Sequence, residues 1–223
     1  GSAIMSGITG GQVHAFDLDH TLIRANASFQ FGLFLYRQGI FGALKMLHLL
    51  RYYASHKAFG TPIFDLHQRS FRALFLGRDS HEMSQHVDTF LDETLVQLWY
   101  APAVSRLRDA QNAQHVTAIF SSAPDFLVKP IARRLGVHHW AASQYAVDHK
   151  GLFSSVDKVL EGSDKATLLH DLVKQWEITP SESIAYSDSH LDLPFLQAAG
   201  RAIVVNPDRK LKAISLQKAW EII

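Results

Sequence analysis

Two carboxylates one residue apart, Asp17 and Asp19, follow the apolar run Val13-His14-Ala15-Phe16 and precede Thr21. A carboxylate can attack phosphorus as a nucleophile, and a second one beside it can serve as general acid and then as general base. Thr21 would hydrogen-bond a phosphate oxygen or pin the loop. The same pattern also fits a strand end closed by an Asx-turn, so the two acids need company before they imply chemistry. That company comes from three places. Ser121-Ser122 ends a second apolar run, residues 115–120. Asp188 ends a third, 183–187, with Asp192 four residues on, and Lys165 heads a helical stretch.

Together these residues suit phosphoryl transfer, whose transition state needs an in-line nucleophile and charge neutralised on the equatorial oxygens. Asp17, Asp188 and the backbone carbonyl of Asp19 offer hard oxygen ligands to Mg²⁺, and Asp192 is a further candidate ligand. Lys165 adds a second positive charge. Ser121 Oγ and the backbone N–H of Ser122 would bind a phosphate oxygen near a helix start. Arg69 and Arg72, on a predicted helix, are candidates for gripping the far end of a substrate. Each has a plainer alternative: Lys165 as a solvated helix lysine, Asp192 as a helix N-terminal acid, and the arginines as surface groups.

The elements that must gather these residues follow from hydrophobic pattern. After the breaker Gly10-Gly11 a short buried strand over 13–16 places the acids at its carboxyl end. Residues 29–53 are the most apolar stretch, interrupted by Arg37, Gln38, Lys45, His48 and Arg51 and divided by Gly32, Gly39 and Gly42. They read as two helical pieces, not a membrane span, and are expected to pack against each other; a greasy lid or a lipid-touching surface is the alternative. Thr61-Pro62 opens a further helix that Gly77 closes, and another runs over 80–99. Helices over 124–135 and 165–176 then alternate with strands over 115–120, 140–142, 183–187 and 202–205, with a hairpin pairing 145–147 and 152–154. This alternation predicts an α/β fold, a Rossmann-like parallel sheet with helices on both faces, and an α-helical cap inserted after the first strand. Residues 11–25 and 100–223 would form the core and 26–99 the cap. In such a sheet the carboxyl ends of all strands share one edge, where ligands bind.

Composition narrows the function classes. A chain of 223 residues holds one domain plus an insertion. With 22 basic and 21 acidic side chains its net charge is +1, which points to no nucleic-acid partner. The absence of cysteine removes thiolate catalysis and disulfides, and the 13 histidines show no zinc-helix spacing. Gly1 to Gly7 carry neither a basic flank nor a long apolar core, so a cytoplasmic location is expected.

The ordered motifs Asp17-x-Asp19-x-Thr21-Leu22, Ile119-Phe120-Ser121-Ser122, Gly162-Ser163-Asp164-Lys165 and Ser187-Asp188-x-x-x-Asp192 resemble the haloacid dehalogenase (HAD) superfamily of aspartate-nucleophile phosphatases. The resemblance is to the branch that contains phosphoserine phosphatase. Val128-Lys129-Pro130-Ile131-Ala132 and Asn206-Pro207-Asp208 look like a less characterised bacterial group within it. The resemblance implies a HAD-like core and cap, an aspartyl-phosphate formed on Asp17, proton transfers by Asp19, and Mg²⁺ as cofactor. The implied substrate is a small-molecule phosphate monoester. Two departures weaken serine phosphate as that substrate: neutral Asn26 stands near the position of the family's amine-binding acid, and Leu191 replaces an asparagine. His20 takes the place of a small residue. Phe29, Phe31, Phe34, Leu35 and Phe41 would line the cap and hint at an apolar or lipid-like group. The expected function is therefore Mg²⁺-dependent hydrolysis of a small or lipid-like phosphate monoester. A phosphotransferase or phosphomutase with the same nucleophile, or a silent phosphate-binding module, is the alternative.

Overall fold

The computed structural model describes residues 11–60 and 62–223; the expectations for Gly1 to Gly7, Gly10 and Thr61 lie outside them. In chain order the elements begin with β1 (Val13–Phe16), α1 (Ala27–Arg37), α2 (Ala43–Phe59), α3 (Ile63–Leu74), α4 (Ser80–Glu93) and α5 (Ala101–Asn112). They continue with β2 (Val116–Pro124), α6 (Asp125–Leu135), β3 (His139–Val147), β4 (Phe153–Lys158) and α7 (Gly162–Gln175). The chain closes with β5 (Ser183–Ser187), α8 (Leu193–Ala198), β6 (Arg201–Val204), α9 (Arg209–Lys218) and β7 (Glu221–Ile222).

Seven strands form one sheet in the order β4-β3-β2-β1-β5-β6-β7, parallel throughout except for the antiparallel β3–β4 pair. β1 is central because the chain builds β2 and β3 on one side of it and β5 and β6 on the other, so the order reverses at β1. That reversal opens a crevice at the carboxyl edge. In register, Phe16 lies beside Ile119 of β2 and Tyr186 of β5. Successive side chains of β1 feed two separate apolar layers: Phe16 packs with Ile119, Ile184, Tyr186 and the inserted helices. Val13 and Ala15 pack with Val116, Ala118, Leu169 and Phe195. A strand buried on both faces reads as continuously apolar, which is why these strands stood out.

Between β1 and β2 the described residues form helices and no strand of the sheet. Their aromatic side chains bind them to the sheet layer: Phe31 and Phe75 both meet Phe126 of α6, at centroid separations of 6.2 and 5.3 Å, and Phe75 meets Phe153 of β4 at 6.1 Å. Phe31, Phe34, Leu35 and Phe41 are core residues, of which Phe31 also borders an inner cavity, and Phe29 borders a cleft. α1 and α2 pack against each other where Leu49 meets Gly32, as expected, yet on α2 only Met46 and Leu49 are buried, and Leu44, Leu47 and Leu50 are exposed. No described helix is long and apolar enough to cross a membrane.

Candidate active site

β1 delivers Asp17 directly beyond its last paired residue, and the Asp17 N–H still donates to Tyr186 O of β5 across 2.9 Å. Asp188 sits just past Ser187, the end of β5. The adjacent parallel registers bring the two carboxylates into hydrogen-bonding contact. Thr21 Oγ1 donates to Asp188 Oδ1 at 3.0 Å, so Thr21 pins the loop instead of standing free for a phosphate oxygen. Between Asp19 and Thr21, His20 adopts a left-handed φ of 56° and exposes its ring. A non-glycine residue there costs about 1 kcal/mol or more, strain stored in the loop that aims both acids.

Lys165 lies one turn inside α7, buried to 2% exposure. Its ammonium donates to Asp17 Oδ1 at 3.0 Å and to Asp192 Oδ2 at 2.8 Å. Asp192 Oδ2 also accepts from Ser187 Oγ at 2.7 Å. Of the two expectations for Asp192, metal ligand or helix-end acid, the contacts made by Oδ2 give it a third part, anchoring Lys165 to the end of β5. Asp17 Oδ1 accepts in addition from the Leu18 N–H at 2.8 Å.

Asp19 points elsewhere. Its Oδ1 accepts from the Ala27 N–H, the first of α1, at 2.8 Å, so the side chain is turned to the inserted helices. Burial, and then the Asp17 charge, push its carboxyl up to about 7, against the pull of that N–H. Burial raises Asp17 as well, with Lys165 acting against it. Burial and the facing Asp17 carboxylate drive Asp188 up to about 9. Burial alone would lower Lys165, but Asp17 and Asp192 override it and the ammonium is held charged.

Ser121 and Ser122 fall where β2 loses register with β3, between Phe120 and Pro124. Ser121 Oγ accepts from the Ala123 N–H at 3.0 Å and keeps its own proton to donate. Ser122 Oγ is committed to Leu160 O at 2.5 Å, leaving its backbone as the part available to a ligand. Arg69 and Arg72 are exposed on α3, and the cavity beside that helix is lined by Leu66, His67, Ser70 and Leu74 instead. At 100° per residue the arginines fall on the opposite face, so the expected substrate grip is not made there.

Above these groups lies a cleft of about 920 Å³ bordered by His20, Phe29, Leu50, Lys57, His190 and Lys210 among others. A narrow inner cavity of about 60 Å³ continues from Asp19 and Ser122 between α3 and the ends of β2 and β3. Asn26, near the expected amine-binding position, caps α1 by accepting from the Phe29 N–H at 2.9 Å. Asp208, which the motif Asn206-Pro207-Asp208 leaves without a role, has one in the structure: its Oδ1 caps α9 through the Leu211 N–H at 2.8 Å, and its Oδ2 accepts from the His190 N–H at 2.8 Å. The Asp208 N–H donates to Asp188 O at 2.9 Å, so this cap also fixes the loop that carries Asp188. An aspartate directly before a basic helix, in Asn206-Pro207-Asp208-Arg209-Lys210, was the available signal.

Two carboxylates in mutual contact, one of them driven far above its ordinary range, fit a hard divalent cation. Among the described residues no group of three or more His, Cys, Asp or Glu side chains gathers for a metal. The carboxylates placed to meet such a cation are the pair Asp17 and Asp188.

The family description for haloacid dehalogenase-like hydrolases matches residues 15–197. Among curated proteins the chain is 27% identical to a putative hydrolase of Mycobacterium leprae, over 93% of this chain and 70% of that one. It is 28% identical to a Mycobacterium tuberculosis protein named phosphoserine phosphatase, over 93% and 68%. Among solved structures, a Bordetella pertussis protein of unknown function superposes with a TM-score of 0.81 at 23% identity, over 96% of this chain and 98% of that chain. A substrate-bound phosphoserine phosphatase superposes with a TM-score of 0.72 at 16% identity, over 96% and 92%. These two structural likenesses are of fold.

Proposed function

Since the chain belongs to the haloacid dehalogenase-like hydrolases, we propose that it hydrolyses small organic phosphate monoesters through a phosphorylated Asp17. The observation that carries this reading is the position of Asp17, held on Oδ1 by Lys165 and the Leu18 N–H at the carboxyl edge of the central strand. The same carboxylate lies against that of Asp188.

In the first step a carboxylate oxygen of Asp17 forms a bond to phosphorus while the ester P–O bond breaks. Asp19 gives its proton to the departing alkoxide, which leaves as the alcohol. In the second step Asp19 takes a proton from water, whose oxygen attacks phosphorus and releases phosphate and the Asp17 carboxylate. A value near 7 suits a group asked to give and then take a proton at neutral pH. Lys165 offsets negative charge at Asp17 in both steps, and Ser121 Oγ with the backbone at Ser122 is available to the phosphate oxygens. Asp17, Asp188 and the Asp19 backbone carbonyl would hold Mg²⁺, which when bound would offset repulsion between the nucleophile and an anionic ester. The inserted helices act as a cap: they supply the N–H that orients Asp19 and wall off the inner cavity from water.

A ligand that binds the folded state alone raises its melting temperature. Adding millimolar Mg²⁺ at pH 7.5 is expected to raise the melting temperature of the wild type by several degrees and that of Asp188→Asn by less than one. Equal shifts would remove Asp188 from the metal site. Phosphate release in competing alcohols separates hydrolysis from transfer: hydrolysis predicts free phosphate only.

A further inference from the structure

The inner cavity differs in chemistry from the cleft above it. α3 presents Leu66, His67, Ser70 and Leu74 to it, and Phe126 of α6 and Tyr145 of β3 face them. Among the described residues no lysine, arginine or glutamate lines it, and Asp19 at its mouth is the only carboxylate. His67 Nδ1 and the Tyr145 hydroxyl are already joined at 2.6 Å, with the ring stacked edge-on at 5.8 Å. Burial lowers the His67 imidazole to about 4, so it is neutral at physiological pH. Ser70 Oγ is buried without a hydrogen-bond partner.

These observations restrict what the cavity can hold. A carboxylate entering it would lose its water and meet no cation, and an ammonium would meet only Asp19, which already accepts from Ala27 and carries the proton transfers. A buried hydroxyl without a partner costs about 1–3 kcal/mol, a cost that a ligand oxygen placed against it would remove. Size sets the remaining limit: an apolar cavity of about 150 Å³ accepts benzene, so one of about 60 Å³ has room for roughly two or three carbon-sized atoms beyond those at its mouth.

Resting on the reading of the site as a phosphomonoesterase, we infer that the alcohol half of the substrate is uncharged: a short hydrocarbon fragment bearing one oxygen that pairs with Ser70 Oγ. Amino-acid phosphates are excluded by the same walls. Asn26 agrees, because its side-chain oxygen is spent on the cap of α1 and cannot take the place of an acid.

Phosphonates, which bind without turnover, test this by calorimetry on the full chain with Mg²⁺ present. The series is methylphosphonate, n-butylphosphonate, 4-hydroxybutylphosphonate and 2-amino-4-phosphonobutanoate, the last being the isostere of serine phosphate. Butylphosphonate is expected to bind at least tenfold tighter than both the methyl and the amino-acid compounds, and the hydroxyl to add a further severalfold. Ser70→Ala should abolish the gain from the hydroxyl while keeping butyl over methyl. Ser70→Leu, which fills the cavity, should bring the butyl-to-methyl ratio close to one. Binding of the amino-acid phosphonate as tight as that of the butyl compound would overturn the inference, and so would a butyl-to-methyl ratio unchanged in Ser70→Leu. If butylphosphonate binds best yet no ester releases phosphate, the hydrolytic reading fails and the selectivity stands.

Discussion

Lys165 and Asp17 stand 148 positions apart in the chain, and the ammonium of one lies 3.0 Å from Oδ1 of the other with both side chains buried. The pair holds the Asp17 carboxylate in one orientation, and its geometry depends on a second carboxylate, since Asp192 shares the same ammonium. The three groups form a charged unit shut off from solvent.

Breaking such a unit leaves an uncompensated buried charge. Lys165→Met is therefore expected to destabilise the metal-free protein by about 3 kcal/mol, within the range known for removing one partner of a buried ion pair. Adding Asp192→Asn removes one of the two stranded carboxylates and should recover part of the loss. Urea unfolding of the two single variants and the double variant measures this coupling. Additive losses would mean that Lys165 and Asp192 do not act together.

Gly162 holds the start of α7 against the turn His190–Asp192. A Cβ at this position would lie 2.3 Å from Leu191 O and 3.2 Å from Asp192 Cα, both backbone atoms that cannot rotate away. Gly162→Ala must push α7 and the turn apart, drawing Lys165 off Asp192. The expected result is a melting temperature several degrees lower and kcat reduced at least tenfold. Wild-type kcat in this variant would show that the spacing of α7 does not position Lys165.

His14 lies at the opposite end of β1, bonded to the Tyr186 hydroxyl at 2.7 Å and to Gln12 Oε1 at 2.9 Å. Burial, helped by His115, Arg201 and Arg106, lowers its pKa to about 4. Glu221 pairs with both arginines, and Asp109 lies nearby. Because the folded-state value is below the unfolded one of about 6.5, the unfolded chain takes up this proton first as pH falls. The group therefore costs nothing above about pH 6.5 and removes stability progressively between about 6.5 and 4. In His14→Gln that cost is absent, so the melting-temperature deficit of the variant should narrow by about 5 °C or more between pH 7 and 4.5. A constant deficit would contradict the lowered value.

The strands that carry the site were legible because each is a short apolar run stopped by a polar residue: Phe16 by Asp17, Tyr186-Ser187 by Asp188. β3 was not. Residues 140–142 and 145–147 read as separate pieces, yet β3 runs unbroken from His139 to Val147. The polar break between them is satisfied from outside, since Ser143 Oγ donates to Ser122 O at 2.6 Å and accepts from the Leu160 N–H at 3.0 Å. β7 is two residues long, too short for any periodicity. Arg69 and Arg72 were chosen for charge, whereas the face of α3 is set by Leu66, Ser70 and Leu74 at helical spacing. The inner cavity was hidden for a different reason. His67 and Tyr145 are 78 positions apart, and nothing in either neighbourhood signals that they meet.

The central claim is that phosphate passes through Asp17, and mass spectrometry of the protein quenched in acid during turnover of a short alkyl phosphate with Mg²⁺ tests it most directly. The account predicts a species about 80 Da heavier than the unmodified chain, its label on the peptide containing Asp17, absent from Asp17→Asn along with all phosphate release. Phosphate release by Asp17→Asn at the wild-type rate, or a label on another residue, would contradict it.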